Sequence, residues 1–140
     1  MNNAYKYEKI LLKLALKAYK KSEVPVSAII VKEGKIIAKA YNRKNLDMNS
    51  LYHAEILCLK KTYKKLKRWN LNDCEMYVNL EPCDMCKLVI QESRIDKVYY
   101  ILNKGKCNNK YKKTQYEQMY VTEKEKHFKI IDDFFKKIRK

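Results

Sequence analysis

Two short runs of residues constrain this chain most strongly. The first is His53-Ala54-Glu55 and the second is Pro82-Cys83-Asp84-Met85-Cys86. One imidazole and two thiolates supply three zinc ligands, whereas a structural zinc site is usually closed by four protein ligands. A fourth, open position lets the metal acidify a bound water, so that hydroxide is available near neutral pH. The two runs therefore predict a catalytic zinc site formed by His53, Cys83 and Cys86.

Glu55 in the first run indicates a catalytic function for the predicted zinc site. H-x-E followed by P-C-x-x-C is the known signature of zinc-dependent nucleobase deaminases, in which the glutamate is a general acid/base and not a ligand. A C-x-x-C pair alone could be redox-active, structural or accidental. The proline directly before it and the upstream H-x-E make the combined pattern specific. We predict Glu55 as the catalytic proton shuttle.

Length and composition predict a single folded domain over residues 1–140. The 46 % apolar fraction is typical of globular proteins. No apolar run approaches membrane-spanning length, and the N-terminus does not resemble a signal peptide. These features predict a cytoplasmic protein without membrane association. A reducing compartment also suits the three cysteines outside the zinc site, Cys58, Cys74 and Cys107.

The chain is strongly basic, with a formal net charge of +16 from 32 Lys and Arg against 16 Asp and Glu. Such a charge attracts polyanions, and nucleic acid is the first candidate. The lysines are nevertheless spread along the whole chain, as a general composition bias with a solvated lysine surface would also produce. Charge alone therefore leaves nucleic-acid binding open.

Hydrophobic periodicity predicts alternating helices and strands. The predicted helices are 4–21, 52–66, 84–94 and 122–139. The predicted strands are 26–31, 35–41, 75–80 and 96–102. A turn at 32–34 joins the first two strands as a hairpin, and 103–113 is predicted as an exposed loop. This order indicates a mixed sheet with helices on both faces.

The metal-binding runs are predicted at helix starts. Pro82 fits a first-turn proline, which places Cys83 and Cys86 where the helix dipole favours thiolates. His53 and Glu55 are predicted in the first turn of another helix. Residues at i and i+2 point to nearly opposite sides of a regular helix, so the geometry of the helix start must bring them together.

The last helix is predicted to be amphipathic and basic. Its predicted apolar face contains Phe128, Ile131, Phe135 and Ile138. His127 lies on this helix without a ligand-spaced partner, and we predict a surface or interface histidine.

With these residues placed, the chain resembles the cytidine deaminase-like superfamily and, within it, the bacterial tRNA-specific adenosine deaminases. The zinc motif carries the resemblance to the superfamily. The narrower resemblance rests on Glu23-Val24-Pro25-Val26, Asn42, Leu80-Glu81-Pro82-Cys83, Ser93-Arg94-Ile95 and Asp133-Phe134-Phe135. It implies an α/β fold, a three-layer α/β/α sandwich with a central mixed sheet of about five strands. It also implies a homodimer with one Zn²⁺ per chain.

The resemblance implies conversion of the wobble adenosine of a tRNA anticodon to inosine. Glu55 would move the proton of the zinc-bound water while hydroxide attacks C6 of adenine. Asn42 would hydrogen-bond the base or its ribose, and Val26 and Leu80 would line the pocket. The N–H groups of Ala54 and Cys83 would orient water or substrate. An anticodon stem-loop presents unstacked bases, and surface lysines would supply salt-dependent phosphate contacts.

Two departures from the family pattern concern the substrate pocket. Leu51-Tyr52 precedes His53 where the family usually has small or hydroxyl residues. The family also continues its fourth strand into a D-x-K-x-G-A-type loop, whereas residues 102–106 here lack the aspartate. The choice of RNA is therefore where the resemblance is weakest.

Two alternative functions share parts of this pattern. A deaminase of a free base or nucleoside, of the guanine or cytosine type, would use the same zinc site without needing a basic surface. A non-catalytic RNA-binding module would keep zinc for folding alone. Glu55 argues against the second alternative, because a structural site has no use for a carboxylate beside an open metal position.

Overall fold

The computed structural model describes residues 4–104 and 114–138. They form four helices and five strands. In chain order these are α1 Ala4–Lys20, β1 Ser27–Lys32, β2 Lys35–Tyr41, α2 Ala54–Leu66, β3 Cys74–Leu80, α3 Asp84–Glu92, β4 Lys97–Leu102, β5 Gln115–Gln118 and α4 Lys124–Ile138. In this part of the chain, no helix has the length and apolar character needed to cross a membrane.

The predicted hairpin is confirmed. Strands β1 and β2 pair antiparallel, with Lys32 opposite Lys35 across a two-residue turn. Glu33 and Gly34 in that turn have φ values of 50° and 76°. A type I′ turn needs positive φ at both positions and matches the twist of the flanking strands. Gly34 adopts this conformation without a Cβ penalty, which is why a glycine stands there.

The sheet is mixed, as predicted, in the order β2-β1-β3-β4-β5. Strand β1 runs antiparallel to β2 and β3, whereas β3, β4 and β5 are parallel neighbours. The sequence patterns did not locate β5, because Gln115-Tyr116-Glu117-Gln118 lacks an apolar stripe. Within the described residues this strand pairs with β4 alone, at the sheet edge, where polar residues are tolerated. Asn103 and Lys104 are exposed as predicted, and the rest of the predicted 103–113 loop lies outside the described residues.

Alternating side chains of β1 divide the core into two layers. Ala28 and Ile30 pack in the cluster that includes α2 and α3, whereas Ile29 and Val31 pack in the cluster that includes α1. This alternation is the period-two pattern of a strand buried on both faces. Helix α4 contacts α1 on the second side. The three-layer α/β/α sandwich is therefore confirmed.

Half of the predicted apolar face of α4 is wrong, although Ile131 does pack against the second core cluster and Phe135 is partly buried at a surface pocket. Phe128 and Ile138 are exposed, whereas His127 and Phe134 are buried. His127 is 0 % exposed, so the prediction of a surface or interface histidine is also wrong. His127 and Phe134 lie two helical turns apart and share the face that α1 and the sheet cover. The periodic pattern of apolar residues is compatible with either face. The packing of α4 against its neighbours buries the face that contains His127 and Phe134.

The environment of His127 is unusual for a polar side chain. Among the described residues, neither ring nitrogen has a hydrogen-bond partner. Burial lowers the pKa of His127 to about 4, while the negative charge of Glu123 opposes the shift. The ring is therefore neutral at physiological pH and acts as part of the core.

Candidate active site

Both metal-binding runs lie where a helix begins. His53 is the N-cap of α2, with φ −68° and ψ 154°, and Cys83 is the N-cap of α3, with φ −71° and ψ 171°. The prediction that His53 lies in the first turn of the helix is therefore wrong. The extended backbone takes His53 out of helical register with Glu55. This geometry explains how residues at i and i+2 line the same cavity.

Neither N-cap uses its side chain as a cap. The carbonyl of His53 accepts from the N–H of Leu57 at 3.0 Å, and the carbonyl of Cys83 accepts from Lys87 at 2.9 Å. These are the first bonds of their helices, and no side-chain cap bond forms at either residue. The imidazole and the thiol are thus available to a ligand. Pro82 precedes the N-cap and lies outside α3, so its predicted first-turn position is wrong as well.

Three ligand atoms converge between the two helix starts. The Nδ1 atom of His53 lies 3.7 Å from the Sγ atom of Cys83 and 3.6 Å from that of Cys86. All three atoms lie within 4.8 Å of one another. Tetrahedral zinc with Zn–N near 2.0 Å and Zn–S near 2.3 Å requires an N···S separation of about 3.6 Å. The residues therefore fit one zinc ion, bound through Nδ1 of the histidine.

The two thiols differ in acidity. The hydrogen bond from Cys86 lowers the pKa of Cys83 to about 3, with a further contribution from His53. The same bond to Cys83, together with burial, raises the pKa of Cys86. Since zinc binds thiolates, metal binding must displace the proton from Cys86. Proximity to Cys83 also raises the pKa of His53.

The side chain of Glu55 is a buried carboxyl group beside these ligands. The residue is 3 % exposed, and burial raises the pKa of its side chain. Its Oε1 atom has no hydrogen-bond partner among the residues that the structure describes. An unpartnered oxygen in a desolvated position can exchange a proton with a small molecule in the cavity.

The cavity in front of this group has a volume of about 240 Å³. Val26, Asn42, Leu80, His53, Glu55 and Cys83 line it, together with Val24, Lys44, Glu81, Lys104 and Phe135. Three of the four predicted substrate contacts therefore face the cavity. The fourth, Ala54, is fully buried, and its N–H donates to Oδ1 of Asn42 at 2.8 Å.

Two buried polar residues position this cavity. Asn79 was not singled out from the sequence, and Glu23 was noted only as part of the Glu23-Val24-Pro25-Val26 segment. The Asn79 amide donates to the carbonyl of Pro25 at 2.8 Å and accepts from the N–H of Ser27 at 2.9 Å. It therefore clamps the backbone on both sides of Val26. Glu23 accepts from the N–H groups of Asn45 and Leu46, which holds the loop after Asn42. A polar asparagine inside an apolar strand was the available signal for Asn79.

Comparisons with known proteins indicate one family. The family model of the cytidine and deoxycytidylate deaminase zinc-binding region matches residues 1–102. The tRNA-specific adenosine deaminase of Aquifex aeolicus is 37 % identical, over 94 % of this chain and 93 % of the relative. The protein of the same name from Bacillus subtilis is 42 % identical, over 67 % of this chain and 58 % of the relative.

Solved structures give the same result for the fold. A structure from a study of A-to-I editing by tRNA:A34 deaminases superposes with a TM-score of 0.80 at 25 % identity, covering 89 % of this chain and 98 % of that one. A guanine deaminase from Nitrosomonas europaea superposes with a TM-score of 0.78 at 18 % identity, covering 90 % and 81 %, and this likeness concerns the fold alone. The chain belongs to the zinc-binding cytidine and deoxycytidylate deaminase family and, within it, to the tRNA-specific adenosine deaminases.

Proposed function

We propose that this chain acts as one deaminase domain, over residues 1–140, that converts the wobble adenosine of a tRNA anticodon to inosine. The observation that carries the proposal is the convergence of the ligand atoms of His53, Cys83 and Cys86 beside a cavity that Glu55 also lines. The Oε1 atom of Glu55 has no hydrogen-bond partner within the described part of the chain. The near full-length similarity to the Aquifex aeolicus enzyme supports the choice of substrate.

In this proposal His53, Cys83 and Cys86 hold the metal. Zinc, when bound, supplies Lewis-acid activation of a water molecule. Glu55 accepts a proton from the attacking water and delivers it to the purine ring. It then assists the amino group in leaving C6 as ammonia, so that the net reaction exchanges the C–N bond for a C=O bond.

Asn42, Val26 and Leu80 form the part of the cavity that we assign to the base. The Oδ1 atom of Asn42 already accepts from Ala54, so its Nδ2 group is the donor left for the base or ribose. Val26 and Leu80 contribute apolar surface against the ring. Ala54 then acts through Asn42, and the N–H of Cys83 is the backbone donor that we assign to orienting water or substrate.

The basic surface supports a nucleic-acid substrate. Lys44 and Lys104 both line the cavity, and the chain carries a net charge of +16. Phosphates of an anticodon stem-loop would displace counterions from such a surface, which makes binding sensitive to salt. A homodimer and a cytoplasmic location complete the proposal, as expected for the family.

The deciding experiment is deamination of an anticodon stem-loop with adenosine at the wobble position, compared with free adenosine, guanine and cytidine. We expect inosine in the RNA alone, and less of it when the salt concentration is raised. Turnover of a free base without turnover of the RNA would keep the zinc chemistry and contradict the proposed substrate. The similarity of the curated relatives favours the RNA enzyme over this free-base alternative.

A further inference from the structure

A buried ion pair lies at the wall of the cavity, which Glu81 helps to line. The Nζ atom of Lys87 in α3 lies 2.8 Å from Oε2 of Glu81, and the two side chains are 4 % and 7 % exposed. Glu81 occupies the turn between β3 and Cys83, and Lys87 follows Cys83 by one helical turn. Desolvation of two charges offsets most of the attraction between them, so stability alone does not account for such a pair.

The second carboxylate oxygen of Glu81 reaches a different segment. Oε1 accepts from the backbone N–H of Lys104 at 3.3 Å. The N–H of Glu81 itself donates to the carbonyl of Leu102 at 2.9 Å. Two hydrogen bonds of one residue therefore hold the chain where it leaves β4. Lys104 is part of the cavity wall.

The ion pair also has a fixed place relative to the zinc ligands. Lys87 donates its backbone N–H to the carbonyl of Cys83 at 2.9 Å, and its Nζ atom lies 5.0 Å from the centre of the Tyr116 ring in β5. The carboxylate of Glu81 is thus held on one side by the helix that carries Cys83 and Cys86. On the other side it holds Lys104.

We propose that Glu81 is a positioning residue, whose buried carboxylate sets the distance between the zinc-binding turn and the cavity wall at Lys104. The ammonium of Lys87 orients the carboxylate, and the hydrogen bond to the Lys104 N–H is the functional contact. For catalysis the inference rests on the proposed function, because its kinetic consequence is tighter binding of the RNA substrate. The structural part of the inference, that Glu81 holds Lys104 in place, rests only on the contacts of Glu81.

Two matched double variants separate the hydrogen bond from the ion pair. E81L/K87M removes both charges and the acceptor, whereas E81Q/K87M removes both charges and keeps an amide oxygen for Lys104. Both avoid leaving one buried charge without its partner, which would unfold the site. Zinc content should stay at one per chain in both, since neither variant alters a metal ligand.

The measurements are kcat and KM for the anticodon stem-loop and hydrogen exchange at the Lys104 amide. For E81L/K87M we expect KM to rise about tenfold, the worth of one hydrogen bond, with kcat within about threefold. Exchange at the Lys104 amide should accelerate by at least about tenfold. E81Q/K87M should recover most of the lost affinity and most of the protection.

The outcomes are distinct. Unchanged exchange at Lys104 in E81L/K87M would overturn the proposal, and so would equal losses in both double variants, since the charges and not the acceptor would then matter. Failure of the wild-type protein to deaminate the RNA would contradict the proposed function. In that case the exchange measurement alone still decides whether Glu81 positions Lys104.

Discussion

The carboxamide oxygen of Asn42 accepts a hydrogen bond from the backbone N–H of Ala54 at 2.8 Å. This bond joins the end of the hairpin to the first residue of α2, beside the zinc ligand His53. Because the donor is a backbone N–H, the accepting atom must be oxygen, and the orientation of the amide follows. The Nδ2 group of Asn42 is therefore the part of this amide that can donate to a substrate.

Asn42→Asp should preserve the contact with Ala54 and lose the donor. We expect zinc content to be unchanged and kcat/KM for the anticodon stem-loop to fall about tenfold to a hundredfold, as for a lost hydrogen bond whose partner stays unpaired. Asn42→Ala should lose both contacts and also lower the free energy of unfolding. Asn45→Asp, in the exposed loop that follows Asn42, is the control. A wild-type value of kcat/KM in Asn42→Asp would contradict the role of Asn42 as a donor to the substrate.

Glu55→Gln should separate catalysis from metal binding. We expect one zinc per chain and a loss of kcat of about a thousandfold, within the range for removal of a general acid/base. The free energy of unfolding should not fall, since a neutral amide replaces a desolvated carboxyl group. The exposed turn residue Glu33, changed to Gln, is the control. Persistent turnover in Glu55→Gln would show that another group moves the proton.

Removal of the metal should destabilise the protein. Cys83→Ser should reduce zinc content below one per chain and lower the melting temperature, because zinc stabilises the folded state by about 4 kcal/mol at a thousand times its dissociation constant. A chelator should shift the wild-type melting temperature and leave that of Cys83→Ser nearly unchanged. Cys58→Ser is the control, because Cys58 is buried, is not part of the ligand group, and donates to the carbonyls of Ala28 and Ala38. An equal chelator response in Cys83→Ser would contradict the proposed ligand set.

His127 should make stability fall in mild acid. Its pKa is about 4 in the folded protein, against an ordinary 6.5, so the unfolded chain binds more protons between these values. Stability is therefore complete above pH 6.5 and is lost as the pH falls towards 4. The change from pH 7.5 to pH 5 corresponds to about 2 kcal/mol.

The test is urea unfolding of the wild type and of His127→Leu at both pH values. Buried Glu8 shifts in the opposite direction, since burial raises its pKa, but Glu8 and the zinc site contribute to both proteins alike. We expect the wild type to lose about 2 kcal/mol more than the variant. Identical losses would mean that His127 does not titrate as a buried residue.

Much of the fold could be predicted from local pattern. The hairpin, strands β3 and β4, and helices α1, α2 and α3 all carry periodic apolar residues, which are buried in two layers. Strand β5 could not, because an edge strand of polar residues is specified by pairing with β4 and not by its own side chains. The buried face of α4 could not be predicted either, because the packing of α4 against α1 determines which of its residues are covered.

The sequence by itself determined the chemistry of the site. Residue types and spacing predict His53, Cys83 and Cys86 as ligands and Glu55 as a proton carrier, because few combinations of side chains leave zinc with an open position. The tertiary structure alone decided the geometry. The extended N-caps and the contacts of Asn79 and Glu81 join residues far apart in the chain, and such hydrogen bonds exist only when the strands and helix starts are packed together. Burial of His127 has the same origin, since it depends on the layer that covers it.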